Sequence, residues 1–218
     1  LSCIRTVDLA KLYNVPVVYA SSSAIYGNTP IGDDQTDSFD ILSPYAQDKL
    51  TMEHYARVCW DLYKVPSIGF RFFNVYGPRQ DPSNPYSGVI SIFIDNLIKN
   101  KPVIVNGGYQ TRDFIYVKDV VKTMVESMNC LSTNPSYEVI NLGTGRSVSI
   151  NYLLGIIATI MNLNPVVIKK ELPVGDPERS SGTFEKISRT LNVKVNDFIK
   201  LEEGLKNTIH YIKEDRGI

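Results

Sequence analysis

Cysteine, histidine and tryptophan are scarce in this 218-residue chain, which holds three, two and one of them. Cys3, Cys59 and Cys130 are odd in number and far apart, with no C-x-x-C pair. That argues against a disulfide framework or a zinc site and for a reducing compartment, the cytoplasm. His54 and His210 stand alone in their segments, and no metal is expected. No run of about 18 apolar residues exists to span a bilayer. Lys+Arg and Asp+Glu balance at 23 each, so the basic surface of a nucleic-acid binder is missing and a small-molecule partner is expected. No G-x-x-G-x-x-G or G-x-G-x-x-G follows a strand-like run, and no repeat or low-complexity tract occurs. What is there is globular material, 43% hydrophobic, long enough for a core that holds a site.

Helical and strand patterns alternate in the first half. Helical spacing over Ser2–Tyr13 precedes the β-branched run PVVYA (Pro16–Ala20). Ser43-Pro44 then reads as an N-cap with Pro at the first helical position. Met52, Tyr55, Ala56, Cys59, Leu62 and Tyr63 mark one face of the helix that follows. PSIGFRFF (Pro66–Phe73) is the next strand. Helix then strand, twice over, predicts a parallel α/β sheet whose ligands collect at the carboxyl ends of the strands. The second half predicts helices over Val89–Lys99, Lys118–Cys130 and from Ser149 to about Met161. Strands are predicted at Val103–Val105, Val139–Leu142 and Val166–Lys170, and a last helix carries Leu201, Leu205, Ile209 and Ile212.

Tyr45 and Lys49, four apart in SPYAQDK, share a helix face, so the ammonium can approach the phenol and favour its phenolate, fitting the pair for proton transfer. Such pairs also arise by chance on many helices. Ser21-Ser22-Ser23 follows strand PVVYA at its carboxyl end, where a hydroxyl can bond a substrate oxygen, although a serine triplet is also an ordinary polar turn. Asp33-Asp34 and Glu202-Glu203 read as a loop and a helix start, and Lys169-Lys170 as a solvated pair.

In order and spacing, YASSSAIYG, SPYAQDK, RFFNVYGPRQDP, NPYSGVIS, VNGGYQTRDFIYVKDV, NLGTG and LEEGLKNTIHYI resemble the extended short-chain dehydrogenase/reductase family. Within it they are similar to the NAD-dependent UDP-hexose 4-epimerases. The resemblance implies the C-terminal part of a Rossmann-type parallel sheet plus a smaller α/β substrate lobe. Residues 1–78 with 113–146 would form the remaining NAD domain, its first βαβ units and glycine loop missing, and 79–112 with 147–218 the nucleotide-sugar lobe. It implies Tyr45 as catalytic base, with Lys49 favouring its phenolate and holding the nicotinamide ribose. Ser22 would bond the reacting sugar oxygen, with Ser21 on the cofactor side and Ser23 on the substrate side. Phe73 would lie beside the nicotinamide and Asn74 at the UDP diphosphate. Arg112 would bind phosphate, and Val89 and Val105 would line the uridine pocket, although apolar residues in an apolar run are more often plain core.

Other chemistries of the family fit less well. Ser23 and Ala24 stand where dehydratases carry Asp-Glu, and neither can serve as an acid or base. Ser180, four residues after Asp176, is small where members confined to UDP-glucose and UDP-galactose carry an aromatic, so an N-acetyl sugar is expected to be accepted. Pro173 stands where an Arg commonly binds the diphosphate, and Arg179 is the expected substitute. The reading is therefore C4 epimerisation of UDP-Glc/UDP-Gal or UDP-GlcNAc/UDP-GalNAc, with NAD used but not consumed, by a homodimer paired through residues 2–13 and 44–63. The alternatives are a silent nucleotide-sugar-binding fragment and a nucleotide-sugar reductase.

Overall fold

The computed structural model describes residues 2–84, 87–173 and 175–217. Pro85 and Tyr86 of the NPYSGVIS match, and the side chains of Ser2 and Cys3, lie outside the described residues. Helix α1 (Ser2–Tyr13) leads into β1 (Val17–Ser22), and α2 (Pro44–Tyr63) into β2 (Ser67–Phe72). The Ser43 side chain caps α2 by accepting the Ala46 N–H at 3.2 Å, and Pro44 opens it, as the Ser-Pro pair predicts. Strand β6 (Tyr137–Leu142) completes a parallel sheet in the order β1-β2-β6, whose carboxyl ends are Ser22, Phe72 and Leu142. The chain thus has the expected α/β class with a Rossmann-type parallel sheet.

A second sheet holds β3 (Asn74–Tyr76), β5 (Thr111–Tyr116) and β7 (Ser147–Ser149), with β5 central. A third pairs β4 (Val103–Asn106) with β8 (Val167–Lys170). Helices α3 (Val89–Ile98), α5 (Ile150–Met161) and α7 (Leu201–Asp215) surround a core with Phe93, Val105, Phe114, Tyr116, Leu153 and Leu205. Helices α4 (Val117–Thr133) and α6 (Glu185–Leu191) lie against the first sheet. Its core holds Ile25, Ile68, Phe70, Ile115 and Ile140. Phe184, Ile187 and Phe198 join that core too, and Phe184 meets Phe73 edge to face at 5.4 Å. The apolar packing therefore assigns 184–198 to the first sheet, whereas the expected division gave everything after 147 to the second lobe.

Strands β3, β5 and β7 and helix α6 are absent from the sequence pattern. In β5 the reason is plain, because Arg112 and Asp113 interrupt the apolar signal, yet both are buried. Asp113 accepts from the backbone N–H groups of Thr144 (2.9 Å) and Gly145 (2.8 Å) and from the Thr144 hydroxyl (2.6 Å). Burial pushes its carboxyl above the ordinary range, and these bonds oppose the rise. A buried charge is tolerated where hydrogen bonds replace water.

Candidate active site

Ser22 ends β1 in an extended conformation and opens a short 3-10 turn, Ser23–Tyr26. Its hydroxyl oxygen accepts the Ala24 N–H at 3.1 Å, which leaves the hydroxyl proton for another acceptor. Lys49, on α2, donates from Nζ to the Ala20 carbonyl at 2.7 Å. That bond ties the helix to the strand two residues before Ser22. The same ammonium lies 5.6 Å from the centroid of the Tyr45 ring, so the Tyr-x-x-x-Lys pair is a real juxtaposition. Tyr45 itself is 55% exposed.

Two cavities lie near this end of the sheet, the smaller of them opening at Ser22. One, of about 260 Å³, is lined by Ser22, Ser23, Phe73, Arg179 and Ser180 together with Asn74, Arg112 and Asp176. The other, of about 500 Å³, shares Asn74, Arg112 and Asp176 and extends along Val89, Phe93 and Ile150. The buried Arg112 guanidinium thus stands at their junction, ion-paired with Asp176 and donating to the Thr111 carbonyl at 2.8 Å. The Asn74 side chain donates to the Asp113 carbonyl at 3.2 Å, which anchors it on β5. Segment 178–180 is laid along β5 by the backbone bonds Thr111 N to Glu178 O (2.9 Å) and Ser180 N to Thr111 O (3.1 Å). A two-chambered cleft with a fixed cation at the waist suits a ligand whose anionic middle joins two larger ends.

Four expected residues fall differently. Ser21 is buried and its hydroxyl donates to Glu53, so that hydroxyl is committed inside the protein and not to the cleft. Val105 is 1% exposed in the second core. Side chains alternate along a strand, and here it is Ile104 and Asn106 that line the larger cavity. Tyr45 and Lys49 are not among the lining side chains, whereas Leu42 and Ser43 just before the helix are. Thr29, Ser181 and Gln110, which no sequence signal singles out, also line one cavity or the other, and Lys170, expected as half of a solvated pair, lines the larger one.

Against known proteins, the chain matches solved structures over almost its whole length. It is 31% identical to the UDP-N-acetylglucosamine 4-epimerase of Methanobrevibacter ruminantium, with a TM-score of 0.89, covering 98% of this chain and 68% of that one. For the Thermotoga maritima UDP-glucose 4-epimerase the identity is 29% and the TM-score 0.89, over 98% and 69%. The UDP-glucuronate 4-epimerase of Thermodesulfobacterium geofontis is 31% identical over 216 residues, 97% of this chain and 64% of that protein. The chain therefore spans about two thirds of the length of these relatives. The profile of the NAD dependent epimerase/dehydratase family matches residues 3–143, a stretch that holds Ser22, Tyr45, Lys49, Asn74 and Arg112, and the chain belongs to that family.

Proposed function

We propose that this chain carries the catalytic and substrate-binding residues of an NAD-dependent UDP-hexose 4-epimerase, acting on UDP-Glc/UDP-Gal or UDP-GlcNAc/UDP-GalNAc. The observation that carries the reading is the 2.7 Å bond from Lys49 to Ala20, which ties the Tyr45 helix to the strand ending in Ser22. In this reading Tyr45 takes the proton of the sugar 4-OH and later returns it, while Lys49 favours the phenolate. Ser22 donates its free hydroxyl proton to the sugar oxygen. Arg112 neutralises the diphosphate at the waist of the cleft, with Asn74 beside it, and Arg179 adds a second cation on the sugar side. Asp176, now on Arg112, would turn to the ligand's hydroxyls. Ser180, small and at the cavity wall, supports room for an N-acetyl group.

The residues present fit one end of NAD. Lys49 spends one of three donors on Ala20, leaving two for ribose hydroxyls, and Phe73 lines the neighbouring wall. When bound, NAD supplies the acceptor and the donor of the C4 hydrogen. Neither Tyr45 nor Lys49 lines either cavity, and this favours a second reading, a nucleotide-sugar-binding unit without turnover. The division into an NAD part and a sugar part belongs to the same proposal, with 184–198 on the NAD side. So do a cytoplasmic setting, supported by the free thiols of Cys59 and Cys130, and a homodimer through α1 and α2. Among the described residues, no helix is long and apolar enough to cross a membrane.

The deciding experiment is calorimetry with UDP and with NAD, run beside a turnover assay on UDP-Glc and UDP-GlcNAc that follows inversion at C4 by NMR. Inversion without net cofactor consumption is the expected result. Binding of UDP with no turnover selects the second reading, and net oxidation of NADH would make the protein a reductase.

A further inference from the structure

Beneath the smaller cavity runs a chain of buried side chains whose hydrogen bonds have only one possible direction. Arg71, 4% exposed, donates from Nε and Nη2 to the Glu53 carboxylate at 3.0 and 2.7 Å. It donates from Nη1 to the Tyr26 hydroxyl oxygen at 2.8 Å. A guanidinium has no acceptor, so the Tyr26 oxygen receives and its proton must go elsewhere. It goes to Asn141 Oδ1 at 2.7 Å. That fixes the amide: with Oδ1 turned to Tyr26, Nδ2 faces the Gly32 carbonyl at 3.0 Å and the Thr183 carbonyl at 3.1 Å. The Asn141 backbone N–H meets Asp34 at 2.7 Å. Asn141, 0% exposed, thus has both ends of its side-chain amide and its backbone N–H engaged.

The two carbonyls belong to two loops that wall the cavity. Gly32 N donates to Ser181 O and Thr183 N to Gly32 O, both at 2.9 Å, a single parallel bridge between Gly32 and Gly182. Thr29 lines the cavity from the first loop, and Ser180 and Ser181 from the second. Both glycines are required by close approach. A Cβ on Gly32 would lie 2.3 Å from the Tyr26 ring, and one on Gly182 2.6 Å from Phe73. At the other end of the chain, Glu53 accepts from Ser21, next to Ser22, and sits one helical turn beyond Lys49.

We propose that Asn141 is a positioning residue, a clasp oriented by Tyr26 that holds the 29–33 and 180–183 loops together as the sugar-side wall of the cleft. Its effect on substrate rests on the epimerase reading, but its effect on the loops does not. Burial pushes the Tyr26 phenol up to about 12, although Arg71 opposes the rise, so the proton that orients the amide stays in place across the neutral range.

The test uses Tyr26→Phe, which keeps the ring against Gly32 and Arg71 and removes only the directing hydroxyl, and Asn141→Asp, which replaces the donor by an acceptor. Amide exchange is read without ligand at Gly32 and Thr183 and, as a control, along α2. In both variants exchange at the two loop amides should rise about tenfold or more, the scale of one lost hydrogen bond, with α2 unchanged. In the turnover assay Tyr26→Phe should raise KM for the UDP-hexose about fivefold while kcat stays within about twofold, the pattern of lost ground-state binding. Unchanged loop exchange, or exchange that rises equally in α2, overturns the clasp. So does a fall in kcat at constant KM. If the unaltered protein inverts no UDP-hexose, the epimerase reading fails and the exchange result alone decides the clasp. Should Asn141→Asp fail to fold, Tyr26→Phe still gives both readouts.

Discussion

Tyr45 occupies the first turn of α2, over half exposed, with the Lys49 ammonium 5.6 Å from its ring centroid. A phenol that transfers the proton in the transition state but binds little substrate has a distinct kinetic signature. Tyr45→Phe should lower kcat about 10²- to 10⁴-fold and leave UDP affinity, read by calorimetry, unchanged. Turnover retained in this variant would remove Tyr45 from the mechanism. A second residue answers to pH. Burial raises the Asp34 carboxyl above its ordinary 3.8, while Asn141 and Lys186 work against the rise. A carboxyl raised in the folded state favours folding fully below its unfolded value and loses that contribution as pH rises through the folded one. Asp34→Asn should therefore be at least as stable as the parent at pH 7, with the parent regaining ground as pH falls through the carboxylate range. Urea unfolding at several pH values checks this, and a gap that widens in favour of the variant on acidification contradicts it. At this scale the serine triplet was legible from its place at the carboxyl end of strand PVVYA, whereas Ser22 within it, Arg112 and Asn74 were reached only through the resemblance of the segments that carry them. The facing of Val105 was not legible, because three apolar residues in a row carry no mark of which face meets the cavity and which the core.

Elements with explicit stop and start chemistry were the easiest to read. Ser43 and Ser149 cap α2 and α5 through their side chains, with Pro44 opening α2, and both helices begin where those residues predict. Strand β5 stayed hidden because its buried charges depend on Thr144, Gly145 and Asp176, which lie at least 31 residues away in the chain. Helices α1 and α2 leave Leu9, Leu12, Tyr13, Val58, Leu62 and Tyr63 exposed, Leu12 at 72% and Leu62 at 66%. Apolar side chains concentrated on two adjacent helices suit burial against a second copy by a two-fold axis. Light scattering should give a dimer at micromolar concentration, and Leu12→Glu with Leu62→Glu should give a monomer with its far-UV spectrum intact. A parent chain that scatters as a monomer refutes the pairing.

Across the whole molecule, β5 is shared by two cores. Successive side chains point to opposite faces, and Phe114 and Tyr116 pack with α3, α5 and α7 while Ile115 packs with the first sheet. Arg112 on the same strand sits at the waist of the cleft. Neither core can lose its packing without loosening the strand that completes the other, so the two should unfold together. Calorimetry is expected to give one transition with matching calorimetric and van't Hoff enthalpies, even though chains of this length often show more than one. UDP at about 100 times its Kd adds roughly 2.7 kcal/mol and should move that single transition as a unit, by roughly 5 to 10 °C for a chain of this size. Ile115→Ala cuts a fully buried side chain on the strand face opposite Arg112. It should lower the midpoint of the same transition, by about 2 to 5 kcal/mol in stability, and not split it. Two resolved transitions, only one of them moved by UDP, would mean that β5 does not couple the cores, and Arg112 would then ride on one lobe alone.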